Sequence, residues 1–103
     1  TEGAAAVTVR AMADTRHHAV RRSARTALFL DSATRHLTIV AGPDTVTVHD
    51  LAALFGVSLR ATRDSIAWSP TGLGFGAANA RVILSRGQAA DTVTVSRLGR
   101  VRR

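Results

Sequence analysis

The first quarter of the chain alternates small apolar and polar positions with the period of an α-helix. The pattern runs from about Ala4 to Ala24, and neither proline nor glycine interrupts it. The positions that recur at helical spacing predict one face, made of Ala5, Val9, Met12, Ala13, Arg16, Ala19 and Val20. Arg16 is the unusual member of this face. We expect its alkyl chain to lie along a sheet and its guanidinium to reach the sheet edge or a carboxylate.

After Arg25 the period changes to two residues, which is typical of β-strands. Leu37 and Ile39 fall on one face of their strand, and Val93 and Val95 are predicted to point inward. The final two predicted strands are arranged as a hairpin. The predicted strands are Thr26–Asp31, His36–Ala41, Thr45–His49, Val57–Thr62, Asp64–Ser69, Arg81–Ser85 and Thr92–Arg97.

Turn-forming residues separate these strands. Residues 42–44 (Gly-Pro-Asp) indicate a turn, 70–76 a glycine-rich loop, and 86–91 a connection that contains Gly87. Residues 50–55 fit either a helical turn or a loop. A helix followed by strands predicts the α+β class, and the 103 residues fit a single domain spanning 1–103. Within it, the helix would occupy about 4–24 and the β-sheet part about 25–103.

The composition excludes several functions. The chain has no cysteine, so disulfides, thiol catalysis and thiolate metal sites are excluded. No apolar run approaches the length of about 18 residues that a membrane span needs. The seven acidic residues show no pairing that spacing alone would create, and no serine lies in a nucleophile elbow. We therefore expect no enzymatic activity and no cofactor.

The net charge of +7 comes entirely from 14 arginines, since lysine is absent. Such a surface attracts polyanions, although an arginine-biased genome would give the same composition. The arginines nevertheless cluster in two groups: Arg16, Arg21, Arg22 and Arg25 near the end of the helix, and Arg97, Arg100, Arg102 and Arg103 at the C-terminus.

Three further features invite a binding function but are better explained structurally. Residues 72–76 lack the third glycine and the lysine that phosphate loops use, so a structural loop with positive φ is expected. A metal site built from His36 and His49 with Asp31 or Asp50 is conceivable, but solvated histidines are the expectation. Trp68 could stack on a base, yet a lone tryptophan in a strand more often packs in the core.

The C-terminal residues 96–103 form the most informative stretch. Gly99 permits a bend, after which Arg100 and Arg102 lie on one face of an extended tail. Guanidinium groups two strand residues apart, about 6.6 Å, suit contacts with successive phosphates of a nucleic acid. A solvated basic tail, or salt bridges to a neighbouring subunit, would explain the same residues.

Three segments together resemble the soluble domain of the GspH/FimT-type pseudopilins, a type IV pilin-like family. The segments are T-R-H-H-A-V-R-R (15–22), I-A-W-S-P-T-G-L-G (66–74), and the closing strand pair with its terminal glycine-arginine motif (80–102). Their order and spacing agree with the family across nearly the whole chain. The resemblance implies a long N-terminal helix packed against antiparallel β-sheets.

The resemblance also implies a biological role. It indicates a non-catalytic minor subunit of a type II secretion pseudopilus or a type IV pilus, with other pilins or pseudopilins as partners. It further implies that the membrane-spanning half of the helix precedes Thr1 and is missing here. The full-length protein would then be anchored in the inner membrane, with this domain in the periplasm or on a surface filament.

A narrower activity is implied for FimT-like members, which bind DNA during natural transformation through a terminal Gly-Arg-x-Arg motif. Gly99, Arg100 and Arg102 match that motif, and Arg97 and Arg103 would extend the patch. Binding would be non-specific and directed at the phosphate backbone. A small DNA-binding domain outside the family would need a recognition helix, but the predicted helix needs its apolar face for packing.

Overall fold

A twenty-residue helix and two antiparallel sheets make up the fold. The computed structural model describes residues 1–23, 25–41, 44–71, 74–75, 80–96 and 100–103. The helices are α1 (Glu2–Arg21) and α2 (Leu51–Phe55). The strands are β1 (Thr26–Asp31), β2 (His36–Ala41), β3 (Asp44–Asp50), β4 (Ser58–Ala61), β5 (Ser65–Trp68), β6 (Gly74–Phe75), β7 (Ala80–Arg86), β8 (Ala89–Val95) and β9 (Val101–Arg102).

The chain passes between the two sheets more than once, because β4 belongs to one sheet and the following β5 and β6 return to the other. One has five strands in the order β3-β2-β1-β5-β6, and the other has four in the order β4-β7-β8-β9. In the five-stranded sheet Leu28 of β1 pairs with Ile39 on one side and Ile66 on the other. All three are almost completely buried, so they form a row across the middle of the sheet.

The four-stranded sheet is organised around the hairpin of β7 and β8. Val82 pairs with Val93, and both are fully buried. Gly87 occupies the turn with φ of 60°, a conformation that glycine adopts without steric cost. The predicted hairpin and the inward direction of Val93 and Val95 are confirmed. Both strands are longer toward the turn than predicted, so the expected connection 86–91 shrinks to a tight turn.

Helix α1 lies across both sheets, but with a different face from the one its apolar pattern predicts. The buried residues are Ala4, Ala5, Thr8, Ala11, Met12, Thr15 and Ala19. Of the predicted face, Ala5, Met12 and Ala19 are buried, whereas Val9 is only half-buried. Ala13, Arg16 and Val20 are exposed. The prediction was therefore wrong for these three positions, and it did not include the buried Thr8 and Thr15.

The buried threonines satisfy their own hydroxyl groups. Thr8 Oγ1 donates to the Ala4 carbonyl at 2.8 Å, and Thr15 Oγ1 donates to the Ala11 carbonyl at 2.7 Å. A hydroxyl bonded one turn back presents mainly its methyl group outward, so it enters an apolar interface without an unpaired donor. Small side chains on this face, mostly alanine, let the helix backbone approach both sheets closely.

Other expectations fare differently in detail. Trp68 is fully buried in β5, which confirms its structural interpretation. Residues 50–55, left open by the pattern, contain α2, with Asp50 as its N-cap and Gly56 in the left-handed region at φ 63°. Part of the predicted loop 70–76 is strand, since β6 pairs with β5. Gly72, Leu73 and Gly76 lie outside the described residues, as does Ala24, the predicted end of the helix.

Replacing Thr15 tests this account of the helix interface. Thr15→Val should leave the thermal midpoint unchanged or raise it, because it removes a hydroxyl whose acceptor already belongs to the helix ladder. Thr15→Ser keeps the hydroxyl and deletes the buried methyl, and should cost roughly 1 kcal/mol. Thermal unfolding followed by circular dichroism measures both. A Thr15→Val protein less stable than Thr15→Ser would show that the hydroxyl contributes more than its own helical hydrogen bond.

Candidate functional site

A groove of about 960 Å³ runs between α1 and the end of the chain. One wall is the exposed flank of α1, and the other is the C-terminal segment that includes β9. The lining residues are Val9, Met12, Ala13, Arg16, His17, Val20, Ser96, Arg100, Val101 and Arg102. Valines and alanine form most of its floor, with the buried Met12 beneath them. The groove is therefore apolar inside and cationic at its rim.

Short-range hydrogen bonds hold the C-terminal wall in place. The Ser96 N–H donates to the Arg100 carbonyl at 2.9 Å, and the Arg100 N–H donates to Ser96 Oγ at 3.2 Å. Beyond this closure Val101 pairs with Val95 and Arg102 pairs with Thr94 of β8. These contacts use backbone atoms of the arginines, so their guanidinium groups are left for the groove.

The last residue is tied to the start of the helix. Arg103 Nη2 donates to the backbone carbonyl of Glu2 at 3.0 Å. Because Arg100 and Arg102 line the groove beside residues 9–20, the segment 100–103 follows α1 back toward its N-terminus. Arg16 of the first arginine cluster thus lines the same groove as Arg100 and Arg102 of the second.

The predicted site residues are distributed unevenly. Arg100 and Arg102 both line the groove, as expected for positions two apart in an extended segment. Arg103 lies beyond it, at Glu2. Arg97 and Gly99 are outside the described residues, so their part in the predicted patch stays a prediction.

Arg16 and His17 belong to the groove although the motif analysis did not assign them to a site. Arg16 is exposed, and no carboxylate of the described residues forms an ion pair with it, contrary to one of the two expectations for its head group. Its misfit in the helical stripe was the available signal. A cation on an otherwise apolar flank marks a flank that does not enter the core.

The electrostatics of the groove are one-sided. Arg16, Arg100 and Arg102 contribute cations, and the lining residues that the structure describes include no aspartate or glutamate. Such an arrangement can hold anionic groups, and arginine can do so with two parallel hydrogen bonds. Among the described lining residues of the groove, the one hydroxyl group is that of Ser96. Its Oγ accepts a hydrogen bond from the Arg100 N–H.

The other histidine and aspartate candidates lie elsewhere. His36 Nε2 approaches Asp50 Oδ2 at 3.2 Å where β2 begins and β3 ends, and Asp50 Oδ1 accepts from the Ala53 N–H at 3.0 Å. The pair thus supports the start of α2. Across the described part of the chain, no three histidine or acidic side chains come together as metal ligands. Nor does any described helix have the length and hydropathy of a membrane span.

Comparison of the structure with solved structures finds the same fold in a pilin. Two crystal forms of the type IV minor pilin FimU from Pseudomonas aeruginosa strain PAO1 superpose with TM-scores of 0.81 and 13% sequence identity. They cover 98% and 99% of this chain, and 85% and 90% of the FimU chains. No family model and no curated protein matches the sequence significantly. The predicted α+β, type IV pilin-like fold is confirmed.

The Asp50 cap makes a testable contribution to stability. The hydrogen bond from the Ala53 N–H lowers the pKa of Asp50 below its ordinary value of 3.8, and the hydrogen bond with His36 lowers it further. A carboxylate whose pKa is lowered by folding stabilises the folded state at pH values above its unfolded-state pKa. This contribution disappears as the pH falls through the lower pKa of the folded state. Asp50→Ala should therefore reduce the thermal midpoint at pH 6, and the deficit should shrink as the pH falls below the ordinary aspartate pKa of 3.8.

The control for this experiment is Asp44→Ala, which removes an exposed acid at the start of β3 that caps no helix. It should leave the midpoint and its pH dependence close to those of the unaltered protein. A constant deficit of Asp50→Ala at every pH would contradict an ionic origin for the cap.

Proposed function

We propose that this chain is the folded domain of a minor pilin or pseudopilin of the GspH/FimT type. It serves as a non-catalytic structural subunit of a type IV pilus or a type II secretion pseudopilus. The observation that carries the proposal is the superposition on the minor pilin FimU over essentially the whole chain. The order and spacing of the three family-like segments support it independently, because they do not depend on the coordinates.

The proposal includes partners and location. Other pilins or pseudopilins surround the subunit in its filament. The domain lies outside the cytoplasm, in the periplasm or on a surface filament, and an inner-membrane anchor preceding residue 1 stays a prediction of the resemblance. A single domain over 1–103 is consistent with α1 packing on both sheets.

Fractionation of the natural host tests the filament role. An antibody against this domain should detect the protein in the inner membrane and in sheared or purified filaments, together with other pilins. Deleting the gene should reduce filament number or secretion, and a plasmid copy should restore it. A freely soluble cytoplasmic protein that never accompanies pilins would contradict the proposal.

A second candidate activity is non-specific DNA binding by the same subunit. The specific observation in its favour is that Arg100 and Arg102 are exposed, line one groove and are joined there by Arg16. Cations that face outward without carboxylate partners suit phosphate contacts, and these supply most non-specific affinity. In this role the subunit would capture DNA for natural transformation.

Replacing Arg100 and Arg102 together with alanine tests DNA binding. The change keeps the backbone bonds that hold the C-terminal wall, because those bonds use no guanidinium atoms. Fluorescence anisotropy in a salt series should show weaker binding to all sequences alike. The slope of log affinity against log salt should become shallower by about one unit for each lost phosphate contact.

The matched control is Arg60→Ala with Arg86→Ala, which removes the same charge from exposed positions on β4 and β7. It should keep most of the affinity and the slope. Equal losses of DNA affinity in the two double variants would show that DNA binding depends on net charge alone and not on this groove. Absence of DNA binding at low salt would remove this activity and leave the filament role standing.

A further inference from the structure

Helix α1 carries two seams at helical spacing, and only one of them is buried along its whole length. The buried seam follows Ala4, Thr8, Ala11, Thr15 and Ala19. The second seam consists of Val9, Ala13, Arg16 and Val20, separated by four, three and four residues. That alternation is the spacing with which one helix packs along another. Val9 packs partly against the core, whereas Ala13 and Arg16 are exposed and Val20 is 49% exposed, so the second seam is uncovered from residue 13 onward.

Val9, Ala13 and Val20 of the second seam form the apolar floor of the groove, with Arg16 between Ala13 and Val20, and Val101 lines the groove from the C-terminal wall. Contacts with phosphates need the rim arginines but make no use of this floor. The floor extends from residue 9 to residue 20, which is about 16 Å along the helix axis, or about three turns. A short amphipathic helix has the size and the apolar stripe to lie in it.

The charge of the rim selects the occupant. Arg16, Arg100 and Arg102 line the same groove, and none of its described lining residues is a carboxylate. A second copy would present its own α1, whose surface carries Arg10, Arg16 and Arg21 against Glu2 and Asp14. It would add cations to a cationic groove in a chain of net charge +7. Charge complementarity therefore calls for a different and acidic chain.

We propose that the groove between α1 and β9 is a docking site for an acidic amphipathic helix of another protein. The apolar stripe of the partner packs along Val9, Ala13 and Val20. Its flanking glutamates or aspartates pair with Arg16, Arg100 and Arg102. The proposal goes beyond the filament role and requires only the folded domain, so its failure would leave that role untouched.

A designed peptide provides the direct probe. The peptide has about four helical turns, with leucines at alternating three- and four-residue spacing and glutamates on both sides of the leucine stripe. A fluorescein-labelled form should bind the domain in the micromolar range by anisotropy. A second peptide with the same glutamates and serine in place of leucine should bind at least about tenfold more weakly, because it lacks the apolar contacts.

Variants of the domain separate this site from a plain polyanion site. The double variant Ala13→Gln with Val20→Gln keeps the charge and the helix but makes the floor polar, and should weaken peptide binding at least about tenfold. Its affinity for DNA, where DNA binds, should not change. Ala6→Gln alters another exposed alanine of the same helix, outside the groove, and should leave peptide binding intact. Circular dichroism confirms that each variant is folded.

Three outcomes would overturn the proposal. Equal binding of the leucine and serine peptides would make the groove a charge-only site. Failure of the leucine peptide to bind at low salt would exclude helix docking. Self-association of the domain that Ala13→Gln with Val20→Gln abolishes, measured by sedimentation, would assign the seam to a second copy.

Discussion

Close packing of one face of α1 against both sheets is the contact on which the rest of the structure depends. The five-stranded and four-stranded sheets are built from different parts of the chain, and the helix touches strands of both. That face is made of alanines, one methionine and two threonines, so the backbone of the helix can approach the sheets closely. Since an α-helix has only one orientation that buries this face, the position of every other α1 residue follows.

The exposed flank of α1 is the first consequence of that orientation. With Thr8 and Thr15 turned inward, Ala13, Arg16 and Val20 face outward beside β9, and Val9 lies at the boundary with the core. The groove is thus the by-product of a helix with more apolar positions than its two sheets cover. The candidate binding surface therefore lies on the uncovered side of α1, the same helix whose opposite face packs in the core.

Much of the fold was predictable because its signals are local. In a regular element, the side chains that face the core recur with the period of that element. This explains why the change of period after Arg25, the inward Leu37 and Ile39, and the closing hairpin could be predicted. The orientation of α1 was not predictable from apolar positions, because a threonine that bonds one turn back behaves as an apolar residue. The short β6 and β9 were missed for a different reason: strands of two residues carry no period.

The candidate site was predictable only in part. Arg100 and Arg102 stood out by charge and by their spacing of two. Arg16 was recognisable as a charged residue on an apolar helix face. Its proximity to the C-terminal arginines could not be predicted, because it depends on the chain returning along α1, which no local pattern encodes. Arg16 and Arg100 are more than eighty residues apart in the sequence, and the topology of the fold brings them to one groove. That topology is known only from the assembled sheets.

The two-residue strand β9 has a consequence for how the groove responds to a ligand. It lies at the edge of its sheet and is held by pairs with Thr94 and Val95, by Ser96 and by one terminal hydrogen bond. Edge segments with so few bonds open locally at much lower free energy than the core. The α1 wall of the groove is therefore the more stable one, and the C-terminal wall is the one that opens more easily. Backbone amides of residues 101 and 102 should therefore exchange with solvent long before that of Val93, and opening of β9 would also release the partial packing of Val101 on the core.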